Sequence, residues 1–313
     1  MSHNLLLMGP LLPSIQEKLE STYNVHRYWE SSDQSGLLSD LAPACVGVVT
    51  DGGRGVEAAI LEKLPNVKIV SVFGVGVDAV DLGYCKAQGI PVTNTPDVLS
   101  DDVADLAVAL ALATCRQLAV GDSYARAGRW PKDGAMPLTR RLAGKRAGIF
   151  GMGSIGEVLA KRLAGFDMDI SYCNRSAKPE SEHRFVESLE EMAAAVDFLF
   201  ITASATPGTM GAINATILDA LGPDGYLINV SRGTLVDEPA LVSYLQENKI
   251  AGAGLDVFDA EPNIPEALFD LENVVLQPHH ASGTWETREA MGQLVLDNLS
   301  AHFSDQSLLT PVS

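Results

Sequence analysis

The stretch RAGIFGMGSIGEVLAKRL, Arg146 to Leu163, decides the fold. It opens with a short β-rich run, Arg146 to Phe150, and closes on a helical pattern, GEVLAKRL. Between them stand Gly151, Gly153 and Gly156 in G-x-G-x-x-G spacing. In that context Gly151 allows a tight turn, Gly153 lets backbone approach a pyrophosphate, and Gly156 lets helix and strand pack closely. The helix N-terminus then offers unpaired N–H groups to the anion. A bare glycine pattern also fits an ordinary strand-to-helix turn; the strand before and the helix after favour the dinucleotide reading.

The same alternation runs outward in both directions. Expected strands are Asn4 to Met8, Val46 to Thr50, Lys68 to Val72, Arg146 to Phe150, Asp169 to Cys173, Phe198 to Thr202, Tyr226 to Val230 and Gly252 to Val257. Most are continuous Val/Ile/Leu runs, as for parallel strands buried on both faces. Helical stretches between them include SIQEKLESTY, VEAAILEKL and EPALVSYLQEN. A break at NTPDVLSDD precedes a long apolar helix, Val103 to Val120, with Asp101 or Asp102 as its N-cap; a second break at HHASGT precedes a helix beginning at Trp285. If the breaks pair, residues 1–98 and 285–313 form one discontinuous domain and residues 99–284 another. The expectation is an α/β chain of two Rossmann-like domains with parallel sheets and a cleft between them.

Composition narrows the function classes. The 313 residues are 46% hydrophobic, enough for a full globular core. Lys+Arg 22 against Asp+Glu 40 gives a net charge of -18, which repels nucleic acid and anionic membranes, so neither is expected as a partner. Cys45, Cys85, Cys115 and Cys173 form no CxxC pair, which argues against a zinc cluster or disulfide scaffold and for a reducing cytoplasm. The apolar start MSHNLLLMGPLLP has no Lys or Arg ahead of it, as a secretory signal would require, and reads as a first strand; the closing TPVS matches no targeting signal.

At the end of the second strand of the glycine-motif domain, an NAD site would carry Asp or Glu for the ribose 2′-hydroxyl. Here the residues are Asn174, Arg175 and Ser176, with Lys178 close by. A guanidinium, a hydroxyl and an amide suit a 2′-phosphate, so NADP(H) is favoured over NAD(H). Downstream, INVSRGTLVDE, GAGLDVFDAEP and NVVLQPHHASGT each place a polar group just after an apolar strand, where open α/β sheets bind ligands. They offer Arg232, then Asp256 and Glu261, then His279. A guanidinium grips a carboxylate with two hydrogen bonds, and an imidazole leaning on a carboxylate hands a proton to a nascent alkoxide. Together they suit reduction of a 2-oxo acid.

With these residues in view, the chain resembles the D-isomer-specific 2-hydroxyacid dehydrogenase family over essentially its whole length. The resemblance rests on VFGVGVDAVDL, GIPVTNTPDVLSDDVADLAVAL, GKRAGIFGMGSIG, NVSRGTLVDE, GLDVFDAEP and PHHASGT. The Asn174–Ser176 turn and the run Gln277 to His280 are most similar to the hydroxyphenylpyruvate, hydroxypyruvate and glyoxylate reductase branch. The resemblance implies a flavodoxin-like substrate domain and an NAD(P)-binding Rossmann domain. It implies that Arg232 holds the substrate carboxylate and polarises the 2-oxo group, that His279 is the acid–base, and that Glu261 fixes its tautomer and favours the imidazolium. Met152, Gly153, Ser154 and Ile155 would line the pyrophosphate, and Val230 and Asp256 would meet the nicotinamide end. His279 is chosen over His280 because the family's acid–base directly follows the proline.

In the outer domain, the family uses the Phe73–Asp78 turn for substrate, and the N–H groups of Val75 and Gly76 could form an anion-binding nest. Arg54 reads as a surface charge rather than a second clamp. Trp130 and Met136 leave open an apolar pocket wall, reached across a subunit interface, or a plain core role. His3, His26, His183 and His302 read as surface groups, and no metal set is expected. By resemblance the Val103–Val120 helix sits where the family builds a homodimer. The leading expectation is an NADPH-dependent reductase producing a D-2-hydroxy acid from hydroxypyruvate, glyoxylate or an arylpyruvate. The competing one is a non-catalytic NAD(P)-sensing corepressor on the same scaffold.

Overall fold

The computed structural model describes residues 3–312. They fall into two compact units, Met1–Leu99 with Ser282–Ser313, and Ser100–Ala281.

The first unit is built on a parallel five-stranded sheet: β1 (Asn4–Leu7), β2 (Asn24–Arg27), β3 (Cys45–Asp51), β4 (Val70–Phe73) and β5 (Val92–Thr93), in the order β2-β1-β3-β4-β5. This is the flavodoxin-like order. Leu5, Leu6 and Leu7 of β1 are wholly buried, each contributing about 1.5–3 kcal/mol relative to exposure. The helix Trp285–Phe303, capped by the Thr284 side chain, lies against β4, so the C-terminal part of the chain completes the N-terminal unit.

The second unit holds a parallel seven-stranded sheet: β6 (Arg146–Phe150), β7 (Asp169–Cys173), β8 (Arg184–Phe185), β9 (Phe198–Ile201), β10 (Tyr226–Asn229), β11 (Gly252–Leu255) and β12 (Val274–Leu276). Their order, β12-β11-β10-β9-β6-β7-β8, is the doubly wound Rossmann order with one strand added. The order reverses between β6 and β9, and crevices at such reversals, outside the carboxyl ends of the strands, are where these sheets take ligands.

The structure revises several sequence expectations. The apolar helix expected from Val103 to Val120 is two helices, Ser100–Cys115 and Leu118–Arg126, bent by 59°. The break is at Gln117, which takes a left-handed φ of 51° and ends the first helix without a glycine or proline. That first helix also begins earlier than expected, so Asp101 and Asp102 are not its cap but sit in its first turn. There they face the positive end of the helix dipole, and Asp101 pairs with Arg162 at 2.6 Å. VEAAILEKL keeps only the single turn Ala58–Leu61 as helix. Strands β2, β5, β8 and β12 are absent from the sequence expectations; each is short, and each lies at the edge of its sheet. Among the described residues no single helix is long and apolar enough to cross a membrane.

Candidate active site

The glycine-rich loop leaves β6 at the switch point, and its three glycines have separate physical reasons. Gly151 adopts φ 105°, and a Cβ there would fall 2.3 Å from the Ala203 nitrogen. A Cβ on Gly156 would fall 2.5 Å from the Gly151 carbonyl and meet Ile149 at 3.4 Å, which is the helix-on-strand approach expected. A Cβ on Gly153 would meet nothing within 4 Å. The loop therefore presents open backbone where it starts the helix Ser154–Ala164. From the neighbouring strand, Thr202 Oγ1 donates to the Gly151 carbonyl at 2.7 Å.

Two cofactor expectations change here. The Asn174 side chain is spent on the loop: Oδ1 accepts the Met152 N–H at 2.7 Å and Nδ2 donates to the Met152 carbonyl at 3.3 Å. Asn174 thus shapes the loop rather than offering its amide to a 2′-phosphate. Met152 is buried with its N–H so engaged, and the Gly153 N–H bonds the Gly151 carbonyl at 2.9 Å. The helix-opening amides of Ser154 and Ile155 are the ones left to meet an anion. Arg175 and Ser176 are exposed at the tip beyond β7. Lys178 is not a free cation: it pairs with Glu157 and Glu180, and its backbone N–H bonds the Tyr172 hydroxyl at 2.8 Å. An open-backed glycine loop, a helix N-terminus and a projecting guanidinium with a hydroxyl form a donor set that fits a dinucleotide.

The chemistry-bearing residues stand on consecutive loops after β10, β11 and β12. Arg232 begins the short turn Gly233–Leu235, with its Nη1 on the Ser231 carbonyl at 2.8 Å and its own carbonyl accepting Asn229 Nδ2 at 2.9 Å. Gly233 allows this loop to reach the next one: a Cβ there would sit 1.9 Å from the Phe258 carbonyl carbon and 2.3 Å from the Asp259 nitrogen. Glu238, on the same segment, accepts the Asp259 N–H at 3.1 Å. Burial, with Asp259 and Glu261 nearby, outweighs that hydrogen bond and holds its carboxyl above the usual range.

Glu261 uses both carboxylate oxygens. Oε1 accepts the Phe258 N–H at 3.0 Å, and Oε2 lies 2.6 Å from His279 Nδ1. Burial pushes its carboxyl up, but the His279 hydrogen bond, the Phe258 amide and the nearby His279 and Arg232 charges prevail, leaving it below the ordinary glutamate value. The pair thus directs His279 Nδ1 at a carboxylate and leaves Nε2 for other work.

Asp256 departs from its expected role at the nicotinamide. It has no exposed surface, and its Oδ1 and Oδ2 accept the N–H groups of His280 and Ala281 at 2.7 and 3.0 Å. Its backbone carbonyl takes the His279 N–H at 2.7 Å. One residue thereby grips three successive amides and holds His279 in a left-handed conformation, φ 51°. Burial raises the Asp256 carboxyl despite those two amide donors. Val230 is buried at the end of β10, its N–H on the Ile201 carbonyl at 3.4 Å. Gly233, Glu238 and Thr202 carry no local sign of their supporting roles, because each acts on a neighbouring loop distant along the chain.

In the first unit, the turn after β4 carries Val75 and Gly76, half-exposed. Arg54 pairs with Asp51 at 2.7 Å on an exposed loop. Trp130 is 69% exposed and Met136 half-exposed, which excludes the core role. His26 and His302 are half-buried rather than surface groups, and burial lowers both from the usual imidazole value. Among the described residues no cluster of His, Cys, Asp and Glu could hold a metal ion.

Comparison with known proteins gives the family. Residues 108–281 match the D-isomer specific 2-hydroxyacid dehydrogenase, NAD binding domain. The chain is 48% identical over 307 residues to hydroxyphenylpyruvate reductase of Plectranthus scutellarioides, covering 98% of each. It is 46% identical over 309 residues to 2-ketogluconate reductase of Gluconobacter oxydans, covering 99% of this chain and 98% of that one. Among solved structures, the NADPH-dependent glyoxylate/hydroxypyruvate reductase of Sinorhizobium meliloti, in complex with NADP and malonate, superposes with a TM-score of 0.95 at 43% identity, covering 100% and 97% of the two chains. With both parallel sheets, the glycine-rich loop and the Arg232, Glu261 and His279 set in place, the chain belongs to the D-isomer specific 2-hydroxyacid dehydrogenases.

Proposed function

We propose that this chain reduces a small 2-oxo acid, from the set hydroxypyruvate, glyoxylate and arylpyruvates, to the D-2-hydroxy acid, with NADPH preferred over NADH. The observation that carries this reading is the 2.6 Å contact between His279 Nδ1 and Glu261, on the loop that packs against the one bearing Arg232. Arg232 holds the substrate carboxylate and polarises the 2-oxo group. His279 donates a proton from Nε2 to the forming alkoxide, and Glu261 stabilises the imidazolium that this requires. NADPH, when bound, supplies the hydride. The Ser154 and Ile155 amides would hold its pyrophosphate, with Gly153 leaving room for the approach, and Arg175 and Ser176 would hold its 2′-phosphate. In the first unit, the Val75 and Gly76 amides bind a carboxylate. Asp256 places His279 rather than touching the reactants.

The test is a steady-state panel of 2-oxo acids with each cofactor. Turnover with NADPH ahead of NADH, and loss of that preference in Arg175→Ala, support the reading. No turnover anywhere on the panel supports a cofactor-sensing binding protein instead. We also propose a homodimer through the exposed apolar side chains Leu118, Trp130 and Leu138; light scattering at the monomer mass refutes it. The four free cysteines favour the cytoplasm.

A further inference from the structure

In the first unit, both backbone groups of Asn94 are held by one residue near the C-terminus. The Asn94 N–H donates to the Thr310 carbonyl at 3.3 Å, and the Asn94 carbonyl accepts the Thr310 hydroxyl at 2.6 Å. Thr310 is fixed in turn by Asn298, a wholly buried residue of the helix Trp285–Phe303. The Asn298 carboxamide donates to Thr310 Oγ1 at 2.9 Å and accepts the N–H groups of Leu309 and Thr310 at 3.0 and 3.2 Å. Beyond Asn94 the tail pairs antiparallel with β5, Pro311 opposite Thr93 and the Val312 N–H on the Val92 carbonyl at 2.8 Å.

Asn94 and Thr95 pass this constraint to the turn after β4. Asn94 Nδ2 donates to the Val75 carbonyl at 2.8 Å, and the Thr95 N–H donates to the Gly74 carbonyl at 2.8 Å. The peptide bonds here are trans, the cis bond among the described residues being Glu261–Pro262. In a planar trans peptide the C=O of one residue and the N–H of the next point in opposite directions. Drawing the Gly74 and Val75 carbonyls toward Asn94 and Thr95 therefore turns the Val75 and Gly76 N–H groups the other way. Neither N–H donates to another described residue.

We propose that Asn298, Thr310 and Asn94 are positioning residues that aim the Val75 and Gly76 amides at the substrate carboxylate, so that the C-terminal segment sets substrate affinity. This rests on the reading of those amides as the carboxylate-binding turn. The alternative is that the tail only closes the edge of the sheet.

The experiment uses the full chain with Thr310→Val, which removes the hydroxyl at constant shape, and Thr310→Ser, which restores it. The relay predicts that Thr310→Val raises KM for glyoxylate about tenfold, the worth of one such hydrogen bond. It leaves kcat and the KM for NADPH within about twofold, the pattern of lost uniform binding, and Thr310→Ser returns KM to the wild-type value. A lower melting temperature with KM unmoved overturns the proposal. Amide hydrogen exchange at Val75 and Gly76, read by NMR without substrate, separates this from a failure of the functional reading. Exchange that changes in Thr310→Val and recovers in Thr310→Ser sustains the relay even if the 2-oxo acid panel is blank, and exchange that does not change refutes it. Should Thr310→Val not fold, Asn94→Ser, which keeps the backbone bonds to Thr310 and withdraws Nδ2 from Val75, gives the same readouts.

Discussion

Replacing Glu261 by glutamine isolates what the carboxylate does. The native side chain satisfies two donors at once, the Phe258 N–H at 3.0 Å and His279 Nδ1 at 2.6 Å. Glutamine has the same shape but one acceptor and one donor end. Whichever way it turns, either the Phe258 N–H or the imidazole faces an NH₂ group. A hydrogen bond to a charged partner is worth about 1.5–3 kcal/mol, and each 1.36 kcal/mol on the barrier is about tenfold in rate. We expect kcat of Glu261→Gln to fall about 10- to 100-fold, with the KM for NADPH held, because the hydrogen-bond partners of Glu261 are Phe258 and His279 and not the glycine-rich loop. The assay is NADPH oxidation at saturating hydroxypyruvate, with circular dichroism to establish an intact fold. A variant that folds and keeps kcat within about twofold of wild type refutes the claim that Glu261 supports the proton donor.

Three further substitutions or conditions probe the supports. Gly233→Ala places a Cβ 1.9 Å from the Phe258 carbonyl carbon, so it should cost about 3 kcal/mol in urea unfolding; a loss below about 0.5 kcal/mol would mean the two loops are not tightly apposed. Gly153→Ala meets no atom within 4 Å and should leave the melting temperature unchanged while weakening NADPH binding at least about tenfold, because backbone must approach the pyrophosphate there; unchanged affinity by calorimetry counts against the loop as the phosphate site. The Glu261 carboxyl is held low in the folded chain. Its stabilising contribution is therefore complete above the unfolded glutamate value of about 4.3 and disappears as pH falls through the lower folded value. The stability gap between wild type and Glu261→Gln should narrow as pH falls through that acid window; a gap that stays the same across it contradicts the assignment.

The features legible in the sequence were those that local chemistry dictates. The buried runs of β6 and β7 could be read to the residue because their neighbours on both faces are core, and the helix from Trp285 could be read from the break at HHASGT, where the structure places its Thr284 cap. The glycine loop was legible because a strand before it and a helix after it leave Gly151 and Gly156 at points where a Cβ would strike neighbouring backbone; which amides stay open was not, since Met152 and Gly153 spend theirs inside the loop. Short strands such as β2, with the sequence Asn-Val-His-Arg and an exposed to half-buried pattern, carry no such signal, since pairing rather than composition makes them strands. The bend at Gln117 was hidden because no glycine, asparagine or proline stands there to mark a residue of positive φ. At the site, Arg232, Glu261 and His279 follow their strands at readable offsets. The duties of Asn174 and Asp256 did not, because each is defined by backbone groups that the fold brings in from elsewhere.

The choice between two adjacent imidazoles tests the account most directly. His279 is the one seated on Glu261, whereas the His280 backbone N–H is held by Asp256 and its side chain is exposed. Measured kcat for 2-oxo acid reduction should drop at least about a hundredfold in His279→Ala, the scale of a lost general acid, and stay near wild type in His280→Ala. The reverse pattern, with His280→Ala inactive and His279→Ala still turning over, would contradict it.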